Sequence, residues 1–304
     1  MSVLSVVLPA YNEEAMLPKA AETLKNILEK EKISYELVFV DDGSRDRTWQ
    51  CIREAAEKDA HVRGVHFSRN FGKEAAIFAG LASASGDCTA VMDCDLQHPP
   101  ETLVEMYRKW EQGYEVVEGV KRSRGKEGRL HKACAGLFYR LMSKATQIDM
   151  SRASDFKLLD RKAVETLLEM PERNAFFRAM SAWIGFRTTA VEFDVQEREA
   201  GASKWSTRSL VKYAITNIVG YSAAPMQFVT GAGIVVFLIA VVLGIQTLVR
   251  YFSGQAVEGF TTVILLLLFI GSVIMISLGI IGYYISRIYE EVKGRPRYII
   301  SKKI

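Results

Sequence analysis

The chain of 304 residues is long enough for one or two domains, and its 49% hydrophobic and 24% charged residues exclude a disordered protein. Its formal net charge of +4 is carried by residues 287–304, where six basic side chains face two acidic ones. The rest of the chain sums to zero, which argues against a nucleic-acid-binding surface. Its four cysteines form no CxxC pair, so neither a zinc site nor a disulfide framework is expected.

The first 120 residues alternate between short apolar runs and segments with helical periodicity. The runs predict strands at 3–8, 35–40, 62–67, 88–93 and 115–120, and the segments predict helices at 14–30, 46–59, 73–84 and 101–112. This alternation predicts βαβ units and an α/β fold with a mostly parallel sheet. Because ligands of such sheets bind beyond the carboxyl ends of the strands, the polar residues there are candidate site residues.

The second half of the chain predicts a change of environment. Further elements are expected at 131–147 (helix), 154–159 (strand), 161–169 (helix) and 186–196 (strand), followed by an amphipathic interfacial helix at 206–220. Residues 213–249 and 260–286 contain no charged side chain, and each stretch exceeds the roughly 20 residues that a bilayer-spanning helix needs. We therefore expect spans at about 226–249 and 261–286.

These patterns predict three regions: a globular domain at 1–205, an interfacial region at 206–224, and a transmembrane hairpin with a basic tail at 225–304. The basic tail predicts cytoplasmic termini and a cytoplasmic globular domain at the inner (plasma) membrane, with loop 250–259 on the other side. Four glycines in the spans suggest close packing in a homo-oligomer: Gly231, Gly233, Gly271 and Gly279.

Asp93-Cys-Asp95 follows the fourth predicted strand and is the strongest local signal for chemistry. Two carboxylates straddling a turn can reach one hard cation, Mg²⁺ or Mn²⁺, which usually keeps substrate phosphates in its shell. Gln97 offers a further oxygen. The alternative is a solvated turn, but the motif lies level with a second acidic strand end at Asp41-Asp42.

Two other strand ends carry candidate ligands. Tyr11 and Glu13 follow the first strand and suit base stacking and ribose hydrogen bonds, although Asn12 as a helix N-cap also explains the segment. Lys73 follows Gly72 at a predicted helix start, where a cation opposes the helix dipole. That cost suggests that Lys73 faces an anion or a carboxylate, and a solvated lysine is the alternative.

Four motifs in order resemble family 2 glycosyltransferases of GT-A fold: Pro9-Ala-Tyr-Asn-Glu-Glu14, Asp41-Asp-Gly-Ser-Arg-Asp-Arg-Thr48, Arg69-Asn-Phe-Gly-Lys-Glu74 and Asp93-Cys-Asp-Leu-Gln97. Two later segments, Ser154-Asp-Phe-Lys157 and Arg198-Glu-Ala-Gly-Ala-Ser-Lys-Trp205, narrow the resemblance to polyprenyl-phosphate glycosyltransferases. These include dolichol-phosphate mannose synthases and, with two C-terminal spans, bactoprenol glucosyltransferases.

The resemblance implies a role for each matching residue. The nucleotide, a uridine diphosphate, would be bound by Pro9, Tyr11, Glu13, Asp42, Lys73 and Asp93. The cation would be held by Asp93, Asp95 and Gln97. Asp155 would lie at the transfer site, with Arg198 and Lys204 on a loop that closes over phosphate and Arg122 and Arg129 as acceptor-phosphate ligands.

The implied activity is transfer of a sugar, glucose or N-acetylglucosamine, from a UDP-sugar to undecaprenyl (polyprenyl) phosphate, with inversion, for cell-envelope glycosylation. The second ionisation of such an acceptor phosphate lies near pKa 6, so the phosphate is already a nucleophile at neutral pH. A strong base is then less necessary, and Asp155 is either a proton acceptor or an orienting group. Alternatives are mannosyl transfer from GDP-mannose, a nucleotidyltransferase and a non-catalytic membrane scaffold. The absence of a Gln-x-x-Arg-Trp motif favours a single transfer rather than processive synthesis.

Overall fold

The computed structural model describes residues 2–122, 154–173, 175–194, 224–254 and 259–304. The chain divides into two compact units, Met1–Leu210 with Arg295–Ile304, and Val211–Gly294. The strands are β1 Val3–Ala10, β2 Ser34–Asp41, β3 Val62–Phe67, β4 Cys88–Val91, β5 Val116–Lys121, β6 Lys157–Asp160, β7 Thr188–Phe193 and β8 Ile300–Lys303. The helices are α1 Leu17–Lys30, α2 Thr48–Lys58, α3 Lys73–Ser83, α4 Pro100–Glu111, α5 Arg161–Glu169, α6 Phe177–Trp183, α7 Ala224–Phe252 and α8 Phe260–Val292.

The strands of the globular unit form one mixed sheet in the order β7-β5-β6-β4-β1-β2-β3-β8. Four neighbouring pairs are parallel: β1 with β2, β1 with β4, β2 with β3, and β5 with β7. β6 runs antiparallel to both β4 and β5, and β8 runs antiparallel to β3. This confirms the predicted α/β fold with a mostly parallel sheet.

Helices cover both faces of the sheet, and the apolar strands follow from that. Along β1, Leu4, Val6 and Leu8 point to the face packed by α1, α2 and α4. Val7 points to the other face, which is packed by α3, α5 and α6. Successive side chains of a strand alternate between faces, so a strand covered on both sides is apolar at nearly every position. The continuous hydrophobic run at the start of the sequence has this cause.

Neither α6 nor β8 was predicted from the sequence. β8 lies in the basic tail that was grouped with the hairpin, whereas the structure places residues 295–304 in the globular unit. The ring of Tyr298 stacks on Phe67 at 5.1 Å between centroids, and the Arg297 guanidinium lies over the ring of Phe78. The tail therefore completes the sheet beside β3.

The second unit contains α7 and α8, both long and apolar enough to cross a bilayer. The qualifying segments, Met226–Arg250 and Phe269–Val292, contain 25 and 24 residues. At about 1.5 Å per residue, each exceeds the roughly 30 Å of a hydrocarbon core. A Cβ added to Gly231, Gly233, Gly271 or Gly279 would meet no atom within 4 Å. Among the described residues, these glycines therefore serve no close approach, and the homo-oligomer stays a prediction.

Candidate active site

The direction of the strands brings the predicted site residues to one edge of the sheet. β1, β2 and β4 are parallel, so the residues that follow them lie at a common edge. β6 is antiparallel to β4, and Lys157 at its start pairs with Val91 at the end of β4. The residue two positions before Lys157, Asp155, is therefore carried to the same edge as Asp93, which follows β4.

Lys73 joins these two acidic residues. Its ammonium Nζ lies 2.6 Å from Asp93 Oδ1 and 3.0 Å from Asp155 Oδ2. Lys73 is the first residue of α3, so the helix contributes no compensating negative potential there. The expectation that Lys73 faces a carboxylate agrees with this geometry, while its role in nucleotide binding stays a prediction.

Arg178 completes the cluster from the unpredicted helix α6. Its Nε lies 2.6 Å from Asp155 Oδ1 and its Nη2 donates to Oδ2 at 2.8 Å, a bidentate contact. The neighbouring backbone N–H of Phe177 donates to Glu74 Oε2 at 2.9 Å. Sequence reasoning missed Arg178, although a lone cation within the apolar segment Ala175–Ile184 was the available signal.

The charges of this cluster set its protonation. Burial alone would raise the pKa of Asp155, but Lys73 and Arg178 hold that pKa well below its usual range. Burial would likewise lower the pKa of Lys73, but Asp155 and Asp93 raise it instead. Burial, with the charge of Asp155, raises the pKa of Glu74 to about 7. Asp155 is thus an ionised carboxylate near neutral pH, and Lys73 a cation.

Asp42 ties the end of β2 to the loop that precedes α3. Its two carboxylate oxygens accept hydrogen bonds from the backbone N–H groups of Phe71 at 2.6 Å and Gly72 at 2.9 Å. Asp42 is buried, and burial raises its pKa to about 6 against the effect of these two donors. The contacts give Asp42 a role in holding the loop before Lys73, beside its predicted role in nucleotide binding.

The loop after β1 is fastened to the loop after β2. The backbone N–H of Asn12 donates to Ser44 Oγ, and that of Glu13 donates to Thr48 Oγ1, both at 2.9 Å. Helix α1 begins at Leu17, so Asn12 is not its N-cap and that interpretation is wrong. Asn12 instead adopts a positive φ of 54° in the loop that carries Tyr11. Pro9 lies within β1 and Tyr11 just beyond it.

Asp93, Asp95 and Gln97 lie on a tight turn after β4. Leu96 has a positive φ of 54°, and the backbone N–H of Gln97 donates to Asp95 Oδ1 at 3.2 Å. Over the described residues, no group of three or more His, Cys, Asp or Glu side chains is placed to hold a metal ion. The two carboxylates fit a hard divalent cation that takes its other ligands from phosphate and water.

The remaining predicted residues are placed only in part. Arg122 is exposed after β5, with its guanidinium 3.6 Å from Glu192 Oε2 and 3.4 Å from Asp194 Oδ2. Arg129, Arg198 and Lys204 lie outside the described residues. All four stay predictions.

Comparison with known proteins gives the family. The model of the family described as "Glycosyl transferase family 2" matches residues 5–168. An uncharacterised glycosyltransferase of Bacillus subtilis is 39% identical, with 98% of this chain and 93% of that protein aligned. A prophage-derived bactoprenol glucosyl transferase of Shigella flexneri is 38% identical, with 98% and 97% aligned.

A solved structure supports the fold. Glucosyl-3-phosphoglycerate synthase of Mycobacterium tuberculosis, solved with Mn²⁺, UDP-glucose and phosphoglyceric acid, is 20% identical with a TM-score of 0.50. The match covers 72% of this chain and 78% of that one. The family model and the near full-length relatives show that the chain is a glycosyltransferase and belongs to glycosyl transferase family 2.

Proposed function

We propose that this protein transfers glucose from UDP-glucose to the phosphate of a polyprenyl phosphate, with inversion at the anomeric carbon. The observation that carries the proposal is the similarity to a bactoprenol glucosyl transferase over 98% of the chain, which takes in the globular unit and both apolar helices. A lipid acceptor gives those helices a purpose, because its phosphate lies at the bilayer surface while its tail stays in the lipid.

The edge of the sheet has the chemistry that this transfer needs. Asp93 and Asp95 would hold Mg²⁺ or Mn²⁺, which when bound neutralises charge on the departing diphosphate. Lys73 contacts Asp93, so its ammonium adds positive charge beside the position assigned to the diphosphate. The nucleoside would be surrounded from the ends of β1 and β2 by Pro9, Tyr11, Glu13 and Asp42.

The acceptor phosphate needs cations of its own. We assign Arg122 and Arg129 to that phosphate, and Arg198 and Lys204 to a loop that closes over the phosphates. A polyprenyl phosphate with a second pKa near 6 is largely dianionic at neutral pH. The nucleophile is thus present without proton removal, and its approach depends on opposing positive charge rather than on a strong base.

The transfer assay uses the full chain in detergent with undecaprenyl phosphate and, in turn, UDP-glucose, UDP-N-acetylglucosamine and GDP-mannose. Labelled sugar is measured in the organic phase, with a reaction lacking lipid as the blank. We expect lipid-linked product from UDP-glucose only. Product from another donor alone would overturn the choice of sugar, and donor cleavage without any lipid product would overturn the acceptor.

Metal dependence is tested in the same assay with chelator and with Asp95→Ala. The variant should lose turnover supported by Mg²⁺ or Mn²⁺. Its melting temperature is measured as well, because Asp95 is buried and accepts a hydrogen bond from the Gln97 backbone N–H. Glu57→Ala removes an exposed carboxylate on α2, away from this turn, and as the control it should keep full activity. Full activity of Asp95→Ala would refute the metal assignment.

We also propose that α7 and α8 span the plasma membrane with the globular unit in the cytoplasm. Ser253 and Ser301 are both exposed, one after α7 and one in β8. An impermeant thiol reagent added to intact cells should label Ser253→Cys and leave Ser301→Cys at the level of the unsubstituted chain. Labelling at position 301 instead would reverse the orientation.

A further inference from the structure

Arg178 lies on helix α6, which no sequence motif indicated, and it contacts the site residue Asp155. The guanidinium donates to both carboxylate oxygens of Asp155, and Lys73 also donates to Oδ2. Asp155 is buried, so these contacts are poorly screened by water. Arg178 is itself about three-quarters buried, with 25% of its side chain exposed, which restricts its rotamers. The carboxylate of Asp155 is therefore held in one orientation.

The hydrogen-bonding capacity of Asp155 limits what it can do next. A carboxylate has about four acceptor sites on its two oxygens. Donors within the described residues occupy three of them, namely Arg178 Nε at Oδ1 and both Arg178 Nη2 and Lys73 Nζ at Oδ2. One site on Oδ1 receives no donor from the part of the chain that the structure describes, and it can only accept a hydrogen bond.

The charge of Asp155 selects the partner for that site. An ionised carboxylate repels the dianionic acceptor phosphate and binds a neutral hydroxyl group. The ammonium of Lys73 contacts both Asp155 and Asp93, and Asp93 lies on the turn assigned to the diphosphate. The substrate group next to a diphosphate in a nucleotide sugar is the sugar ring, so a sugar hydroxyl reaches this position.

We propose that Arg178 is a positioning residue, which holds Asp155 so that its remaining acceptor site binds a hydroxyl group of the donor sugar. The proposal rests on the proposed function for the identity of the donor. It gives Asp155 no part in removing a proton, and it assigns Arg178 to recognition of the sugar rather than of the acceptor phosphate.

The test compares binding of UDP-glucose with binding of UDP, which lacks the sugar, by calorimetry in the presence of Mn²⁺. Arg178→Met should weaken binding of UDP-glucose by about tenfold to hundredfold, the range for losing charge-assisted hydrogen bonds, and leave binding of UDP within about twofold. Arg178→Lys should recover part of the loss, since an ammonium restores the charge but not the bidentate contact. A merely structural role would lower both affinities together.

Arg161 provides the matched control. It is a partly buried arginine whose guanidinium donates to the carbonyl oxygens of Ala84 and Gly86, before β4 rather than after it. Arg161→Met should lower the melting temperature without separating the affinities for UDP-glucose and UDP. If Arg178→Met keeps its affinity for UDP-glucose and raises KM for the lipid phosphate, Arg178 is an acceptor ligand and the proposal is wrong.

Failure of the proposed function gives a different result. Calorimetry needs no lipid acceptor, so an incorrect acceptor leaves the comparison of UDP-glucose with UDP intact. If the unsubstituted protein binds UDP-glucose no more tightly than UDP, the assignment of the donor fails before any variant is compared.

Discussion

Gly43, on the turn after β2, is a position where one added methyl group should disturb the active site. Its φ is +65°, which costs an L-residue about 1–2 kcal/mol. An added Cβ would also lie 2.4 Å from the carbonyl carbon of Arg69, where ordinary contact is 3.4–4 Å. The backbone of Arg69 would have to move by about 1 Å, and overpacking of this kind costs a further 1–3 kcal/mol or so. We expect Gly43→Ala to destabilise the globular unit by about 2–5 kcal/mol.

The control is Gly113→Ala, which has a positive φ of 90° but only an ordinary contact, 3.8 Å from Arg187 Nη1. Both variants place an alanine at a positive φ, so that cost is common to them. The difference between their stabilities therefore measures the clash with the backbone of Arg69. At about 2–4 °C per kcal/mol for a unit of this size, Gly43→Ala should melt about 2–12 °C below the control. It should also lose donor binding at temperatures where it is folded, because the Arg69 segment leads into Lys73. Equal melting temperatures would refute the reasoning.

Three further predictions concern the globular unit. The pKa of Asp42, raised by burial from 3.8 to about 6, means that the folded protein binds a proton there that the unfolded protein releases. The free energy of unfolding should therefore fall by up to about 3 kcal/mol as pH rises from about 4 to 6, and Asp42→Asn should remove that part of the pH dependence in urea titrations. Lys157→Met should lower the free energy of unfolding by about 3 kcal/mol, because it removes the ion-pair partner of the Glu118 carboxylate. The double variant with Glu118→Leu should recover most of that loss in a double-mutant cycle. Tyr298→Ala should remove the stacking on Phe67, and faster hydrogen exchange in β8 would be the sign; unchanged exchange would contradict it.

The elements of the first 120 residues were predictable because their signals are local. Strands covered on both faces are apolar throughout, and the helices between them have clear periodicity, so 62–67 was predicted with its observed bounds. The acidic residues after β2 and β4 were also found from sequence, since the carboxyl end of a parallel strand is where a ligand binds.

The unpredicted features depend on contacts that local patterns do not encode. Asp155 was singled out by resemblance alone, because its approach to Asp93 requires β6 to run antiparallel to β4. Helix α6 has seven residues, too few to display a period, so the position of Arg178 was not apparent. β8 was hidden by Lys302 and Lys303, which suggested a membrane flank, although lysines are also typical of edge strands.

The pairing of β8 with β3 constrains the order in which the protein is completed. β3 is synthesised early, and its partner emerges from the ribosome only after both apolar helices. Until then β3 is an edge strand, and its unpaired N–H and C=O groups are open to other nascent chains. α7 and α8 are thus synthesised before the globular unit can close, so their proposed insertion into the membrane can begin while the sheet still lacks β8. A shortened protein that ends before α7 should aggregate through this open edge, and a peptide of residues 295–304 supplied in trans should suppress that aggregation.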